Sequence, residues 1–325
     1  MRADDHGLIF GPVRSGRLGA SLGLDLLGAK ICSFDCLYCE VGVTRALTRI
    51  RKPYVPADKI LGELAYWLFR PHPEFEVVTL GGMGEPTLNT DLGRIIEGVR
   101  EMVPGVPVAV LTNSSLMYDP QVRTELALAD MVLPSMDTLV PLEFTAINKP
   151  VDGATLMDAR RGLLEFRKLY PGKIFLEVLL LAGVNDSEEN LDRLRAFCAE
   201  LGPDRVDVVT MTRPGAYLQA IPAPPATLER FRRALDPAGS RALEMPEKSR
   251  HFAAPLDNPA DEELQALSIR VLDSLARRPQ TAEALAEVLD VGVWPLKNLL
   301  DDLAARGLVR PASHGGETFY MRGGR

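Results

Sequence analysis

Up to about residue 236, short apolar runs alternate with stretches whose apolar positions follow a helical period. The runs are SLGLDLL (21–27), FEVVTLGG (75–82), VPVAVLT (106–112), MVLPSM (131–136), IFLEVLLL (174–181) and RVDVVTM (205–211). They read as strands. Helical patterns lie near 57–70, 90–103, 119–128, 154–170 and 187–201, and another follows near 226–236. Strand and helix in strict alternation predict parallel strands with crossover helices. Six such units predict an α/β domain, a partial (β/α)6 barrel over residues 1–236.

The segment 237–259, DPAGSRALEMPEKSRHFAAPLDN, has several prolines and little periodicity, and reads as a linker. A compact unit over 260–325 follows. DEELQALSIRVLDSLA (261–276) is an amphipathic helix, and TAEALAEVLD (281–290) a second with Thr281 as its N-cap. VWPLKNLLDDLAARG (293–307) is a third, ended by Gly307. LVRPASHGGETFYMR reads as a hairpin turning at Gly315–Gly316. Three helices and a two-stranded wing resemble a winged helix-turn-helix domain.

Composition narrows the class. The 325 residues are 46% hydrophobic and 25% charged, the balance of a globular protein. The N-terminal MRADDHG is not a signal peptide, and the apolar run 174–184 is too short to span a bilayer and contains Glu177. A cytoplasmic protein with no membrane partner is expected. A net charge of −7 argues against broad, sequence-independent nucleic-acid binding. Within 261–325, ten acidic residues stand against eight basic ones, so DNA binding is not expected of the C-terminal unit. A local basic stretch, RALTRIRKPY (45–54), carries Arg45, Arg49, Arg51 and Lys52, with Arg14 or Arg17 as possible neighbours on the same rim. It is the place to look for RNA.

Three of the four cysteines, Cys32, Cys36 and Cys39, fall in KICSFDCLYCEVG with the spacing C-x3-C-x2-C. Thiolates are soft ligands that select zinc, copper(I) or iron–sulfur clusters. A structural zinc needs four protein ligands. Three thiolates on one loop instead suit three corners of a cubane whose fourth iron stays open. A zinc site completed by a remote residue and a chance cluster are the alternatives. Cys198, in LRAFCAE, sits on the apolar face of a helix and reads as a core residue.

This loop resembles the signature of the radical S-adenosylmethionine (SAM) superfamily. The resemblance implies a 4Fe–4S cluster on Cys32, Cys36 and Cys39. Its open iron would chelate the amino and carboxylate groups of SAM, and reductive cleavage would yield a 5′-deoxyadenosyl radical for hydrogen abstraction. Tyr38 matches the family's aromatic position beside the adenine. GGMGEPTLN (81–89), after the second strand, matches the segment that holds the SAM amino group, with Gly82, Gly84 and Glu85. The glycines would let backbone approach a ligand closely.

Later strands end in LTNSSL, with Thr112 and Asn113; in PSMDT, with Ser135 and Asp137; and in LAGVNDSEEN, with Gly183, Asn185 and Asp186. In the family, polar residues at such ends bind the ribose and carboxylate of SAM; Asn113, Ser135 and Asn185 are the candidates here. Asp186 or Ser187 also suits a helix cap. Arg213, after the sixth strand, is the candidate for an anionic substrate group.

Over about residues 7–220, the longer pattern with INKP and GVND resembles the iron–sulfur oxidoreductases related to wyosine-forming tRNA enzymes. Those enzymes carry a second cluster on three further cysteines. Only Cys198 is left over here, so the wyosine reaction itself is not expected. The resemblance leaves two substrate classes, a tRNA base or a polypeptide held by the winged helix. It also implies flavodoxin or ferredoxin as electron donor. A redox-sensing transcription regulator is a third possibility from another class.

Overall fold

The computed structural model describes residues 7–236 and 261–323. The expected linker at 237–259 lies outside the described residues. Elements in chain order are β1 (Ile9–Ser15), β2 (Gly19–Asp25), β3 (Ile31–Cys32), β4 (Ala46–Leu47), α1 (Ala57–Phe69), β5 (Val77–Gly81), α2 (Leu92–Met102), β6 (Val108–Thr112) and α3 (Pro120–Leu126). Then come β7 (Met131–Pro134), α4 (Pro141–Asn148), α5 (Leu156–Leu169), β8 (Lys173–Leu179), α6 (Glu188–Leu201), β9 (Arg205–Val209) and α7 (Pro225–Leu235).

The main sheet has the order β1-β2-β5-β6-β7-β8-β9. From β2 to β9 every neighbouring pair is parallel, so the six expected strands and their crossover helices are present. The fold is α/β with a mostly parallel sheet. Successive strand residues face opposite ways. Val78, Leu80, Val110, Val132, Leu176 and Val178 meet the helices in the large core. Val77, Ala109 and Leu133 form a separate small cluster with Leu18 and Phe175.

Besides the two-residue strands β3, β4 and Gln280–Thr281, two elements escaped the sequence pattern. Strand β1 runs antiparallel to β2, with a register shift between Phe10 and Val13. Its sequence holds Pro12, which lacks an N–H and is confined to edges or bulges of a sheet. Helix α4 is eight residues long, begins on Pro141 and buries Phe144, Ile147 and Asn148. It is too short for its apolar spacing to show. The sheet ends β1 and β9 carry no ladder to each other. However, Arg205, at the start of β9, donates to the Arg17 carbonyl at 3.4 Å, and the Arg17 guanidinium pairs with Glu177 of β8.

Caps follow the expected chemistry. Ser187 caps α6 by accepting from the Asn190 N–H. Chain contacts divide the protein into two units. The second takes in described residues 38–42, 212–218 and 261–323. It contains α8 (Asp261–Arg277), β10 (Gln280–Thr281), α9 (Ala282–Leu289), α10 (Val293–Ala305), β11 (Val309–His314) and β12 (Glu317–Arg322). Thr281 caps α9 as expected, and Gly307, at φ +69°, follows the end of α10. Gly315 and Gly316 both have positive φ and join β11 to β12 with His314 opposite Glu317. Leu267, Val271, Leu285, Leu296, Leu300 and Val309 belong to a core of its own.

Candidate active site at the cysteine loop

The cysteine loop leaves the C-terminal end of β2, the side of a parallel sheet where chemistry is placed. Three segments from other strand ends grip it. The first is GGMGE. Gly82 has φ +103°, and a Cβ there would lie 2.9 Å from Asp25. A Cβ on Gly84 would stand 1.7 Å from the Ile31 carbonyl oxygen. The Glu85 N–H donates to that same carbonyl at 3.2 Å. The close approach that Gly84 permits is thus to the protein's own backbone, one residue before Cys32, and that of Gly82 is to Asp25.

Glu85 is buried. Its Oε1 accepts from the Thr87 and Thr112 hydroxyls at 2.6 and 2.7 Å, and its Oε2 from the Asn113 N–H at 2.7 Å. Burial pushes its pKa up, while these hydrogen bonds pull it back down. The carboxylate therefore ties the second strand end to the third, and Oε2 retains acceptor capacity for a further donor.

The second segment is TNSS. Ser114 takes φ +66°, and its N–H turns back onto the Thr112 hydroxyl at 3.1 Å. This turn aims Asn113 at the loop. Its Nδ2 donates to Ser33 Oγ at 2.9 Å and lies 3.5 Å from Cys32 Sγ. Its Oδ1 accepts from the Ser115 N–H at 3.0 Å, and Ser115 Oγ meets Ser33 Oγ at 2.6 Å.

The third segment is INKP. It runs alongside the cysteine loop: Leu37 N–H donates to the Ile147 carbonyl, Asp35 N–H to the Asn148 carbonyl, and Val151 N–H to the Ser33 carbonyl. Phe34 packs edge-on against Phe144. Lys149, at φ +45°, turns out of α4 and pairs with Asp35 at 3.3 Å. Asn148 is buried; its Nδ2 donates to Asp137 Oδ2 at 2.8 Å and lies 3.5 Å from Cys36 Sγ. Sequence reasoning missed Ser33, Ser115 and Asn148. The signal for the last was the INKP string, noted without a role.

Other expected residues are placed as follows. The backbone of Ser135 bridges Thr112 and Ser114, and its side chain is half-buried. Asn185 is buried with both ends of its amide engaged. It accepts from Leu181 N–H at 2.8 Å and donates to the Asp137 and Leu179 carbonyls at 2.9 and 2.8 Å. It shapes the fifth strand end, and as placed has no N–H left for a nucleotide. Gly183 accepts the positive φ of that turn, closed by Asp186. Cys198 is buried in the core as expected, and burial pushes its thiol up to about 12.

Tyr38, Cys39 and Arg213 belong to the second unit. Arg213 donates to the Pro279 carbonyl at 3.3 Å. Burial, with the charge of Arg213 added, pushes neighbouring Arg278 down to about 10 against the pull of Glu40. The basic stretch 45–54 is largely engaged. Arg51 pairs with Glu125, Arg49 holds the Gly153 carbonyl, and Lys52 lies over Tyr54.

No cysteine is in a disulfide. Among the described residues, no group of three or more His, Cys, Asp or Glu side chains is placed for a single metal ion. A thiol accepts hydrogen bonds weakly, whereas a metal-bound thiolate accepts them well. Amide donors against two of the three sulfurs therefore fit a cluster-bearing loop.

The sequence model of the radical SAM superfamily matches residues 27–194, more than half of the chain. The chain belongs to the radical SAM superfamily. It is accordingly an enzyme, and the cofactors of a radical SAM enzyme are a 4Fe–4S cluster and SAM. Among its relatives, a UPF0026 protein of Helicobacter pylori (strain ATCC 700392 / 26695) is 31% identical over 93% of this chain and 94% of its own length. Another, from Synechocystis, is 38% identical over 63% of this chain and 76% of its own. A Brachyspira hyodysenteriae protein named GTPase Obg is 32% identical over 93% of this chain, which spans only 43% of that protein. Among the described residues no helix is long and apolar enough to cross a membrane.

Proposed function

We propose that this radical SAM enzyme holds its cluster through Cys32, Cys36 and Cys39. Bound there and reduced, the cluster supplies the electron that breaks the S–C5′ bond of SAM, giving methionine and a 5′-deoxyadenosyl radical that takes a hydrogen atom from substrate. The observation that supports this is the grip of three strand-end segments on one loop, with amides at Cys32 and Cys36. Glu85 Oε2 receives the SAM ammonium, while Asn113 Oδ1 offers a remaining lone pair to a ribose hydroxyl and the Ser135 hydroxyl a donor to the carboxylate. The backbone around Gly82 and Gly84 lines this side, and Tyr38 flanks the adenine. Asn185 contributes by shaping the turn beyond β8. Flavodoxin or ferredoxin is the donor class we propose.

The motif resemblance favours a tRNA base as substrate. The surface favours a polypeptide. Most of the cations at 45–54 are engaged, while Leu47 and Ile50 beside them are exposed. We assign the C-terminal unit as a winged helix. On its α10, Lys297 pairs with Glu283 and Arg306 with Asp302, which leaves little charge for phosphates, and Trp294 is 75% exposed. Arg213 and Arg278 against Glu40 suit an anionic group of that substrate.

The test is anaerobic reconstitution with iron and sulfide, then SAM and dithionite. We expect 5′-deoxyadenosine and methionine, both abolished by Cys32→Ala, Cys36→Ala or Cys39→Ala. A loaded cluster that leaves SAM intact would overturn the proposal. Anaerobic copurification of RNA or of polypeptide distinguishes the substrate classes.

A further inference from the structure

We infer that Asn148 is a positioning residue that sets the reduction potential of the cluster through Cys36. The inference rests on the proposed ligation by Cys36. The Asn148 amide sits between two acceptors, Asp137 Oδ2 at 2.8 Å and Cys36 Sγ at 3.5 Å. Asp137 fixes which way the amide faces. Its Oδ2 accepts from the NH2 end of the amide, so that end and not the oxygen is turned toward it. The second amide hydrogen is then free to point at sulfur.

Asp137 is itself held. It is buried, and its other oxygen accepts from Leu179 N–H at 3.0 Å. Its carbonyl accepts from Asn185 and Asn190 at 2.9 and 3.1 Å. On the loop side, the Asn148 carbonyl accepts from Asp35 N–H at 3.0 Å. Donor and sulfur are therefore fixed to one another through backbone bonds on both sides.

Reduction adds negative charge to the cluster and to its thiolates. An N–H aimed at one thiolate stabilises the reduced form more than the oxidised form and raises the potential. Asn113 makes the corresponding contact with Cys32. The device makes the cluster easier to reduce by a weak protein donor.

The experiment is a potentiometric titration followed by electron paramagnetic resonance, on the full chain reconstituted anaerobically without SAM. Asn148→Ala is expected to keep its iron and sulfide content and to lower the midpoint potential. A tenfold loss in the reduced-to-oxidised ratio, about 59 mV for one electron, is the expected scale. An unchanged potential with the cluster intact overturns the inference. Should Asn148→Ala not fold, the wild type grown on 15N-asparagine decides. The reduced cluster is then expected to show weak 15N couplings from two amides, and fewer than two overturns the inference. A wild type that assembles no 4Fe–4S cluster instead overturns the ligation on which it rests.

Discussion

Cys198 shows how its surroundings separate one thiol from three others of the same chemistry. It lies in the core on α6, and burial lifts its pKa from the ordinary 9.0 to about 12. Ionisation is disfavoured in the fold, so the folded chain keeps a proton that the unfolded chain releases. The stability this group contributes is full below pH 9 and is lost as pH rises toward 12. At about pH 10.5 the wild type should lose about 2 kcal/mol more, relative to pH 8, than Cys198→Ala does. Urea denaturation at the two pH values measures this, and equal losses would reject it. The same variant should retain its iron. The residue-scale reading from sequence succeeded here because one face of a helix decides burial. It succeeded less well for Glu85 and Asn185. Their type was legible, but the hydrogen-bond partners that engage them stand 2 to 48 positions away, and no local pattern reveals the distant ones.

Among the elements, the irregular pieces matter as much as the strands. Strands β2, β5, β6, β7, β8 and β9 were legible because their runs are apolar and stand between helical patterns. The INKP turn was not, because its role is to lie against the cysteine loop by backbone bonds, which any side chain allows. Asp137 joins the two kinds of element. It receives the last amide of β8 with one oxygen and Asn148 with the other. Asp137→Ala leaves two buried donors without an acceptor, and a loss of about 3 kcal/mol is expected. Chemical denaturation measures it. The same variant should bind iron less completely, since the α4 end would lose its anchor. A loss below 1 kcal/mol would show that water replaces the carboxylate.

Across the whole molecule, the alternation of apolar runs was enough to give six parallel strands, but not how the sheet ends. Among the described residues, an added antiparallel strand on one side and β9 on the other leave the sheet unclosed by any ladder. The Arg17 turn bridges that seam through Glu177 and Arg205. Partly exposed ion pairs of this kind contribute at most about 1 kcal/mol. Arg17→Ala should therefore hardly move the melting temperature, yet should speed amide hydrogen exchange in β1 and β9. Unchanged exchange would show that the seam needs no clasp. A wall fastened by side chains gives way sideways far more cheaply than one zipped by main-chain bonds. With side chains alone between them, β1 and β9 can therefore part without the loss of a single main-chain bond of the sheet.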